Sequence, residues 1–126
     1  MLHSQNSQSA LAQFRQESKH LKQLRHSNIV RLLAACDTEQ ALITEYCERG
    51  SLADLLTNKE SAHLLTDERK WQLLVQLASA LEFLHSRKPA IVHRDIKSSN
   101  VLVTQTWLAK LADFGLARVQ ANTAGL

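Results

Sequence analysis

The sequence predicts an α+β fold that is richer in helix toward its C-terminal half. Its 126 residues include only three glycines and one proline, so long regular elements with few tight turns are expected. Runs with helical spacing of apolar residues are interrupted by short strand-like runs. A chain of this length can build one modest hydrophobic core and is short for two domains.

Composition and charge narrow the class of protein. The 44% hydrophobic and 21% charged content is typical of globular proteins, and the net charge of +3 is mild. The basic residues are spread along the chain, which argues against nucleic acid or an anionic membrane as the main partner. No run approaches the roughly 20 apolar residues of a membrane span. We therefore expect no nucleic-acid partner, no membrane segment in this chain, and a cytoplasmic or nuclear location.

Cysteine and histidine usage predicts neither a disulfide framework nor a structural metal. Cys36 and Cys47 are the only cysteines, and they do not form a Cys-x-x-Cys pair. Both stand in apolar surroundings, which favours two small buried hydrophobic side chains. The six histidines are scattered without supporting ligands.

The N-terminal third of the sequence is predicted to form one helix followed by two strands. Residues 3–13 are rich in Ser and Gln and are expected to fray. A helix is predicted from about residue 11 to residue 25, and two strands at 29–35 and 40–45 joined by a polar turn. The apolar residues that share one face of this helix are Leu11, Phe14, Leu21 and Leu24.

The rest of the chain predicts two more helices and a hairpin. Ser51 is placed to cap a short helix over residues 52–56, and Thr66 to cap the strongest helix, which ends before Pro89. Strand-like runs follow at 100–104 and 107–111. The apolar residues of the strongest helix are Leu74, Leu77, Ala78, Leu81 and Leu84.

Two residues near the C-terminus are suited to holding magnesium. Phosphoryl transfer from a nucleotide needs a metal ion held by hard oxygen ligands. Asn100 and Asp113 each supply one such oxygen, and the hairpin predicted between them can bring both to the same end. Phe114 would anchor the loop after Asp113 in the core, and Gly115 permits unusual dihedral angles.

The loop before Asn100 holds residues suited to the other half of that chemistry. Asp95 can face a bound substrate and deprotonate its hydroxyl group, and Lys97 can neutralise charge on the group being transferred. Singly, each residue has an ordinary interpretation: Asp95 as a turn former, His93 as a packed core histidine, Asn100 as a turn residue. Their joint order and spacing favour phosphoryl transfer.

The motifs His93–Asn100 and Asp113–Gly115 resemble the catalytic loop and metal-binding loop of protein kinases. The resemblance covers nearly the whole chain, from the αC helix to the activation segment. It implies a partial protein-kinase-like fold: residues 11–45 as part of the small lobe, 46–50 as the hinge, and 51–126 as the first part of the helical large lobe. The segments that resemble αC with the fourth strand, and the fifth strand with the hinge, are Phe14–Val30 and Ile43–Cys47.

The resemblance also implies ligands and their contacts. The cofactors would be ATP and Mg²⁺, and the partner a protein substrate. Backbone groups of Glu45 and Cys47 would bind adenine, with Thr44 as the gatekeeper and Leu102 under the ring. Lys97 is typical of serine/threonine kinases, and the sequence of its loop, Asp95–Asn100, is similar to that of the tyrosine-kinase-like group.

Glu17 can be considered with and without the resemblance. It shares a helical face with Phe14 and Leu21, where a carboxylate is costly unless paired. It could instead sit at the edge of that face and reach water, and the residues alone leave both readings open. The resemblance implies that Glu17 pairs with the lysine that holds the nucleotide phosphates. It also implies an apolar column that links the lobes, formed by Leu21, Leu32, His93 and Phe114.

Several kinase motifs are absent from the 126 residues. The only glycines are Gly50, Gly115 and Gly125, so no Gly-rich loop is present, and neither are the lysine strand and the Ala-Pro-Glu motif. We therefore expect the two N-terminal strands to expose apolar faces, and this polypeptide alone to be marginally stable with little or no activity. The alternative is a non-catalytic, kinase-derived interaction module, although Asp95, Asn100 and Asp113 are all present.

Overall fold

The predicted α+β class is confirmed by the order of elements along the chain. The structure is a computed structural model that describes residues 2–93 and 95–112, with side chains described from residue 7 onward. Two single-turn 3₁₀ helices, Ala62–Leu64 and Ser98–Asn100, lie between the main elements. The main elements are α1 (Leu2–Lys22), β1 (Leu32–Cys36), β2 (Ala41–Thr44), α2 (Leu52–Thr57), α3 (Asp67–Ser86), β3 (Val101–Val103) and β4 (Ala109–Leu111).

Helix α1 begins at Leu2, so the prediction of a frayed segment over residues 3–13 was wrong. The helix contains no Gly, Pro, Val, Ile or Thr, the residues that most disfavour a helix interior. Its last turn carries Lys19, His20 and Lys22, which suit the negative end of the helix dipole. The Ser and Gln residues therefore extend the helix instead of ending it.

Strands β1 and β2 form a two-stranded antiparallel sheet with Leu32 opposite Thr44 and Cys36 opposite Ala41. The first strand begins three residues later than predicted, because the residues before it pair elsewhere. Ile29 forms a parallel bridge with Leu111, and the Val30 N–H donates to the Leu111 carbonyl at 3.0 Å. The segment before β1 thus attaches the N-terminal sheet to the other end of the chain.

The expected apolar exposure of the N-terminal sheet is confirmed. Leu33 on β1 and Ile43 on β2 are 50% and 52% exposed. Leu32, by contrast, is buried in the hydrophobic core. Leu32 is the only buried residue among the nine of these two strands, so most of this small sheet is open.

Both predicted helix caps are present. Ser51 and Asp54 form a reciprocal capping box at the start of α2. The Thr66 hydroxyl accepts a hydrogen bond from the Arg69 N–H at the start of α3. Helix α3 ends at Ser86, before Pro89, as predicted.

The buried face of α3 agrees with the prediction at Leu77, Leu81 and Leu84 and differs from it at Leu74 and Ala78. Leu73, Ala80 and Leu84 are buried, whereas Leu74 is 54% exposed and Ala78 is also exposed. An apolar stripe that starts at residue 73 continues at 77, 80 and 84 and faces β4. The neighbouring leucines made the phase of the helix ambiguous in the sequence.

The β3–β4 hairpin supplies the centre of the core. Val101 pairs with Leu111 and Val103 with Ala109, and all four side chains are buried. Trp107, in the turn of this hairpin, has a positive φ of 66°. The guanidinium carbons of Arg49 and Arg69 both lie 4.2 Å from the centroid of its ring, a favourable cation–π distance. These contacts fix the hairpin against the segments on either side of α2.

The two cysteines have different environments. Cys47 is buried as predicted, and burial raises the pKa of its thiol. Cys36 is only half-buried, so that part of the prediction was wrong. Its sulfur lies 3.3 Å from the Thr38 hydroxyl, and this hydrogen bond, with the Glu39 N–H, lowers the pKa of the Cys36 thiol.

Candidate active site

His93 organises the loop between α3 and β3. Its side chain is 1% exposed, and its Nδ1 accepts the Asp95 N–H at 3.1 Å. Because Nδ1 acts as an acceptor, the proton of the neutral ring lies on Nε2, which donates to the Ala112 carbonyl at 2.8 Å. The sequence offered two interpretations of His93, as a packed core histidine and as a member of the apolar column. Both place its side chain in the interior, where it lies.

Asn100 holds Asp95 in place from the other side. The Asn100 Nδ2 donates to the Asp95 carbonyl at 2.8 Å and lies 3.3 Å from the Asp95 Oδ2. Its N–H donates to the Lys97 carbonyl at 2.9 Å, which closes the 3₁₀ turn. Asn100 is buried, so these bonds fix which end of its amide is nitrogen. They leave Oδ1 as the end that can act as a ligand.

Asp95 and Lys97 form an ion pair at the surface of the site. The Lys97 Nζ lies 3.4 Å from the Asp95 Oδ2, and both side chains are more than half exposed. A pair this exposed contributes little to stability. Its consequence is positional, because it sets a carboxylate and an ammonium side by side where a substrate can reach them.

Ala112 connects this loop to Asp113. The Ala112 N–H donates to the Asn100 carbonyl at 2.8 Å, and its carbonyl accepts from His93. Asp113, Phe114 and Gly115 lie outside the described residues, so their predicted contacts stay predictions. The described chain nonetheless ends, at Ala112, on a backbone bonded to both His93 and Asn100.

A divalent cation at this site needs hard oxygen ligands. Within residues 2–93 and 95–112, no three His, Cys, Asp or Glu side chains converge as metal ligands. Asn100 does fit a hard cation, because its nitrogen is occupied and its amide oxygen is the type of ligand that Mg²⁺ takes. A magnesium site here would use Asn100 and, by the sequence prediction, Asp113.

The predicted hinge presents backbone groups of both kinds. The Glu45 N–H donates to the Arg31 carbonyl at 3.0 Å, and the Cys47 carbonyl accepts from the Gly50 N–H at 3.1 Å. No bond found in the described part of the chain uses the Glu45 carbonyl or the Cys47 N–H. One acceptor and one donor are therefore spaced two residues apart along this segment.

Leu102 lies beside the end of this segment. It forms an antiparallel bridge with Ser51, and the Val103 N–H donates to the Gly50 carbonyl at 2.9 Å. Leu102 is half-buried, unlike Val101 and Val103 on either side of it. Its side chain therefore points away from the core centre, on the strand that follows the Asp95 loop.

Glu17 is buried, with 7% of its surface exposed. The reading in which it reaches water at the edge of the helical face is therefore wrong. It lies on α1, which packs against β1, and not on the loop that carries Asp95. The structure brings Asp95, Lys97 and Asn100 together and places Glu17 on a separate element.

Two contributors to the site were missed in the sequence. Ala112 acts through its backbone, which leaves no signal in residue type. Lys110 places its Nζ 3.3 Å from the Glu45 Oε1, and its side chain is only 13% exposed. The alternation of apolar residues around Lys110 on β4 was the available signal, since it faces opposite to Ala109 and Leu111.

These features define a protein kinase fold. The family profile described as protein tyrosine and serine/threonine kinase matches residues 1–125. The chain belongs to this family, and the predicted partial kinase fold is confirmed.

Relatives with named functions agree with this assignment. The chain is 41% identical over 119 residues to the probable serine/threonine-protein kinase drkD of Dictyostelium discoideum, covering 90% of this chain and 9% of that protein. It is 39% identical over 113 residues to the serine/threonine-protein kinase CTR1 of Arabidopsis thaliana, covering 88% of this chain and 14% of that protein. The chain therefore spans less than a sixth of the length of these relatives.

One further finding concerns the helices. In the part of the chain that the structure describes, no helix has both the length and the apolar character needed to cross a bilayer.

Proposed function

We propose that these residues are part of an ATP-dependent serine/threonine protein kinase. The observation that carries the proposal is the cluster in which Asn100 binds the Asp95 carbonyl while Lys97 pairs with the Asp95 carboxylate. This cluster combines a positioned carboxylate, a buried amide oxygen donor and an exposed ammonium group. Phosphoryl transfer needs each of these three groups.

Each residue has a role that follows from its surroundings. Asp95 is exposed, so its carboxylate can accept the proton of an incoming protein hydroxyl group. Asn100 and His93 hold the backbone of Asp95 from both sides, which keeps that carboxylate in place. Lys97 would stabilise negative charge on the group being transferred. Magnesium-bound ATP would supply the phosphoryl group, with Asn100 and Asp113 as the protein ligands of the metal.

The hinge residues account for nucleotide binding in this proposal. Adenine presents one hydrogen-bond donor and one acceptor on its edge, which complement the Glu45 carbonyl and the Cys47 N–H. Leu102, beside Ser51, would contact the ring from below. Glu17, buried on α1, would pair with a lysine that is not among these 126 residues.

The choice of serine and threonine over tyrosine rests on two supports. The relatives named above are described as serine/threonine kinases, and Lys97 stands where serine/threonine kinases carry a lysine. The location proposed for the kinase is the cytoplasm, and its partner is a protein substrate.

A kinase assay on the full natural product that contains these residues tests the proposal. We expect transfer of labelled phosphate to serine or threonine of a generic protein substrate, identified by phosphoamino-acid analysis. D95N should reduce kcat by about 100-fold or more, whereas the control D67N, at the exposed start of α3, should leave it unchanged. An absence of transfer by the unaltered protein, or full activity of D95N, would rule the proposal out.

The isolated 126-residue polypeptide is expected to show little or no turnover, since it contains neither the Gly-rich loop nor the lysine that holds the nucleotide phosphates.

The alternative function is a non-catalytic interaction module. The exposed side chains of Leu33 and Ile43 favour it, because they form an apolar contact surface. Nucleotide binding with and without magnesium separates the two functions. A kinase segment should bind ATP more tightly when magnesium is present, whereas a scaffold need bind neither ATP nor magnesium.

A further inference from the structure

A cavity of about 380 Å³ lies away from the Asp95 cluster. It is bordered by the loop after α1, the segment leading into β1, the end of β2 and strand β4. Leu24 and Ile29, both buried, contribute apolar surface to its wall. Neither Asp95, Lys97 nor Asn100 lines it. The cavity therefore lies outside the Asp95 cluster, although it shares Glu45 with the predicted hinge and includes the Lys110 that pairs with it.

The charged residues that line this cavity are mostly cationic. They are Arg25, Arg31 and Lys110, with Glu45 as the only carboxylate among the lining residues. Lys110 is largely shielded from water and its charge is offset by Glu45 at 3.3 Å. The ion pair leaves two guanidinium charges in excess at the cavity.

Arg25 and Arg31 are available to bind a ligand. Both side chains are exposed, and no hydrogen bond or ion pair within the described residues engages either guanidinium group. The Arg31 backbone, by contrast, is fixed by bonds to Glu45 at both its N–H and its carbonyl. Arg31 therefore offers an unengaged guanidinium group, among the described residues, on a backbone segment held just before β1.

We propose that this cavity binds a compact oxyanion of the phosphate or carboxylate class. A guanidinium group binds such anions through paired N–H donors, and two of them neutralise a dianion. The volume lies near the lower end of the roughly 300–1,000 Å³ of small-molecule sites.

The test is a titration of the purified chain, labelled with ¹⁵N, with inorganic phosphate and separately with acetate. Ionic strength is held constant with sodium chloride, so that general screening does not change. We expect saturable millimolar binding with shifts at the amides of residues 25–31 and 110, and tighter binding of phosphate because it carries more charge. Binding of acetate alone at these residues would also support the site and assign it to carboxylates.

The variant R25Q/R31Q should weaken binding by at least about tenfold. The matched control is K59Q/K88Q, which removes two exposed positive charges elsewhere and should bind as the unaltered chain does. Shifts without saturation, or an equal loss in both variants, would overturn the proposal. If R25Q/R31Q fails to fold, the location of the shifts in the unaltered chain decides, since shifts outside the cavity also contradict the site.

Discussion

His93 donates from Nε2 to the Ala112 carbonyl at 2.8 Å, and this bond joins the Asp95 loop to the residue before Asp113. The same ring accepts the Asp95 N–H through Nδ1. One buried imidazole thus fixes two segments that are 17 positions apart in the sequence. Its contribution is structural, because both ring nitrogens are used for the backbone.

Replacing His93 by Phe should therefore destabilise the chain. The change keeps a buried ring but leaves the Asp95 N–H and the Ala112 carbonyl without this partner. We expect a loss of at least about 2 kcal/mol in the free energy of unfolding, measured by urea denaturation. The same change at the exposed His63 should stay within about 0.5 kcal/mol. Equal losses in the two variants would contradict the bonding described for His93.

Replacing Asn100 by Asp should also be destabilising. The substitution replaces the Nδ2 donor by an oxygen that faces the Asp95 carbonyl and carboxylate, so attraction becomes repulsion. We expect a loss of about 2 kcal/mol. N58D is the matched control, because Asn58 accepts a bond from the Glu60 N–H through Oδ1, which Asp retains. A comparable loss in N58D would show that the orientation assigned to Asn100 is wrong.

The ion pairs of Lys110 and Lys97 should differ in strength. Lys110 in its pair with Glu45 is 13% exposed, whereas Lys97 in its pair with Asp95 is 56% exposed. A double-mutant cycle with K110M and E45Q should give a coupling energy of about 1–2 kcal/mol. The corresponding cycle with K97M and D95N should give less than about 0.5 kcal/mol. The reverse order would contradict the exposures on which the comparison rests.

Glu48 should make stability dependent on pH. Its carboxylate accepts its own N–H and, at 2.9 Å, the Gln105 N–H, and these bonds hold its pKa below the ordinary value of 4.5. A lowered folded-state pKa adds stability above the unfolded-state value and loses it as pH falls through the folded-state value. The stability difference between the unaltered chain and E48Q should therefore be largest near neutral pH and shrink below pH 4.5. Urea denaturation across this range measures it, and an identical pH dependence in the surface control E82Q would contradict it.

The phase of α3 can be tested with two adjacent leucines. Leu73 is 2% exposed and Leu74 is 54% exposed. L73A should cost about 2–5 kcal/mol, whereas L74A should cost less than about 1 kcal/mol. Thermal denaturation of the two variants gives the comparison directly. A larger loss in L74A would restore the face that the sequence predicted.

Element types were predictable where local chemistry determines them. Ser51 and Thr66 were recognised as caps because a side-chain acceptor at that position has a local partner, and Pro89 limited α3 for an equally local reason. The start of β1 was not predictable, because Ile29 and Val30 pair with Leu111, far along the chain. The phase of α3 was ambiguous because Leu73 and Leu74 are adjacent and only β4 decides between them.

The candidate site shows the same division. The order and spacing of Asp95, Lys97 and Asn100 predicted a shared site, and the structure places them in contact. The roles of Ala112 and Lys110 were missed. Ala112 acts through its backbone, and Lys110 depends on a distant partner, Glu45, which directly follows β2. The sequence left open whether Glu17 is buried, because the burial of one helical residue is decided by the strand that packs on it.

The bond from the Asn28 side chain to the Ala109 carbonyl closes a loop of 81 residues. Closing so long a loop costs more chain entropy than forming the adjacent β3–β4 hairpin or the capped α3 helix. Folding should therefore begin in the C-terminal part, and docking of the segment around Asn28 should follow as the slow step. During synthesis this segment leaves the ribosome well before its partner strand exists. The N-terminal half therefore cannot dock until residues 109–111 have been made.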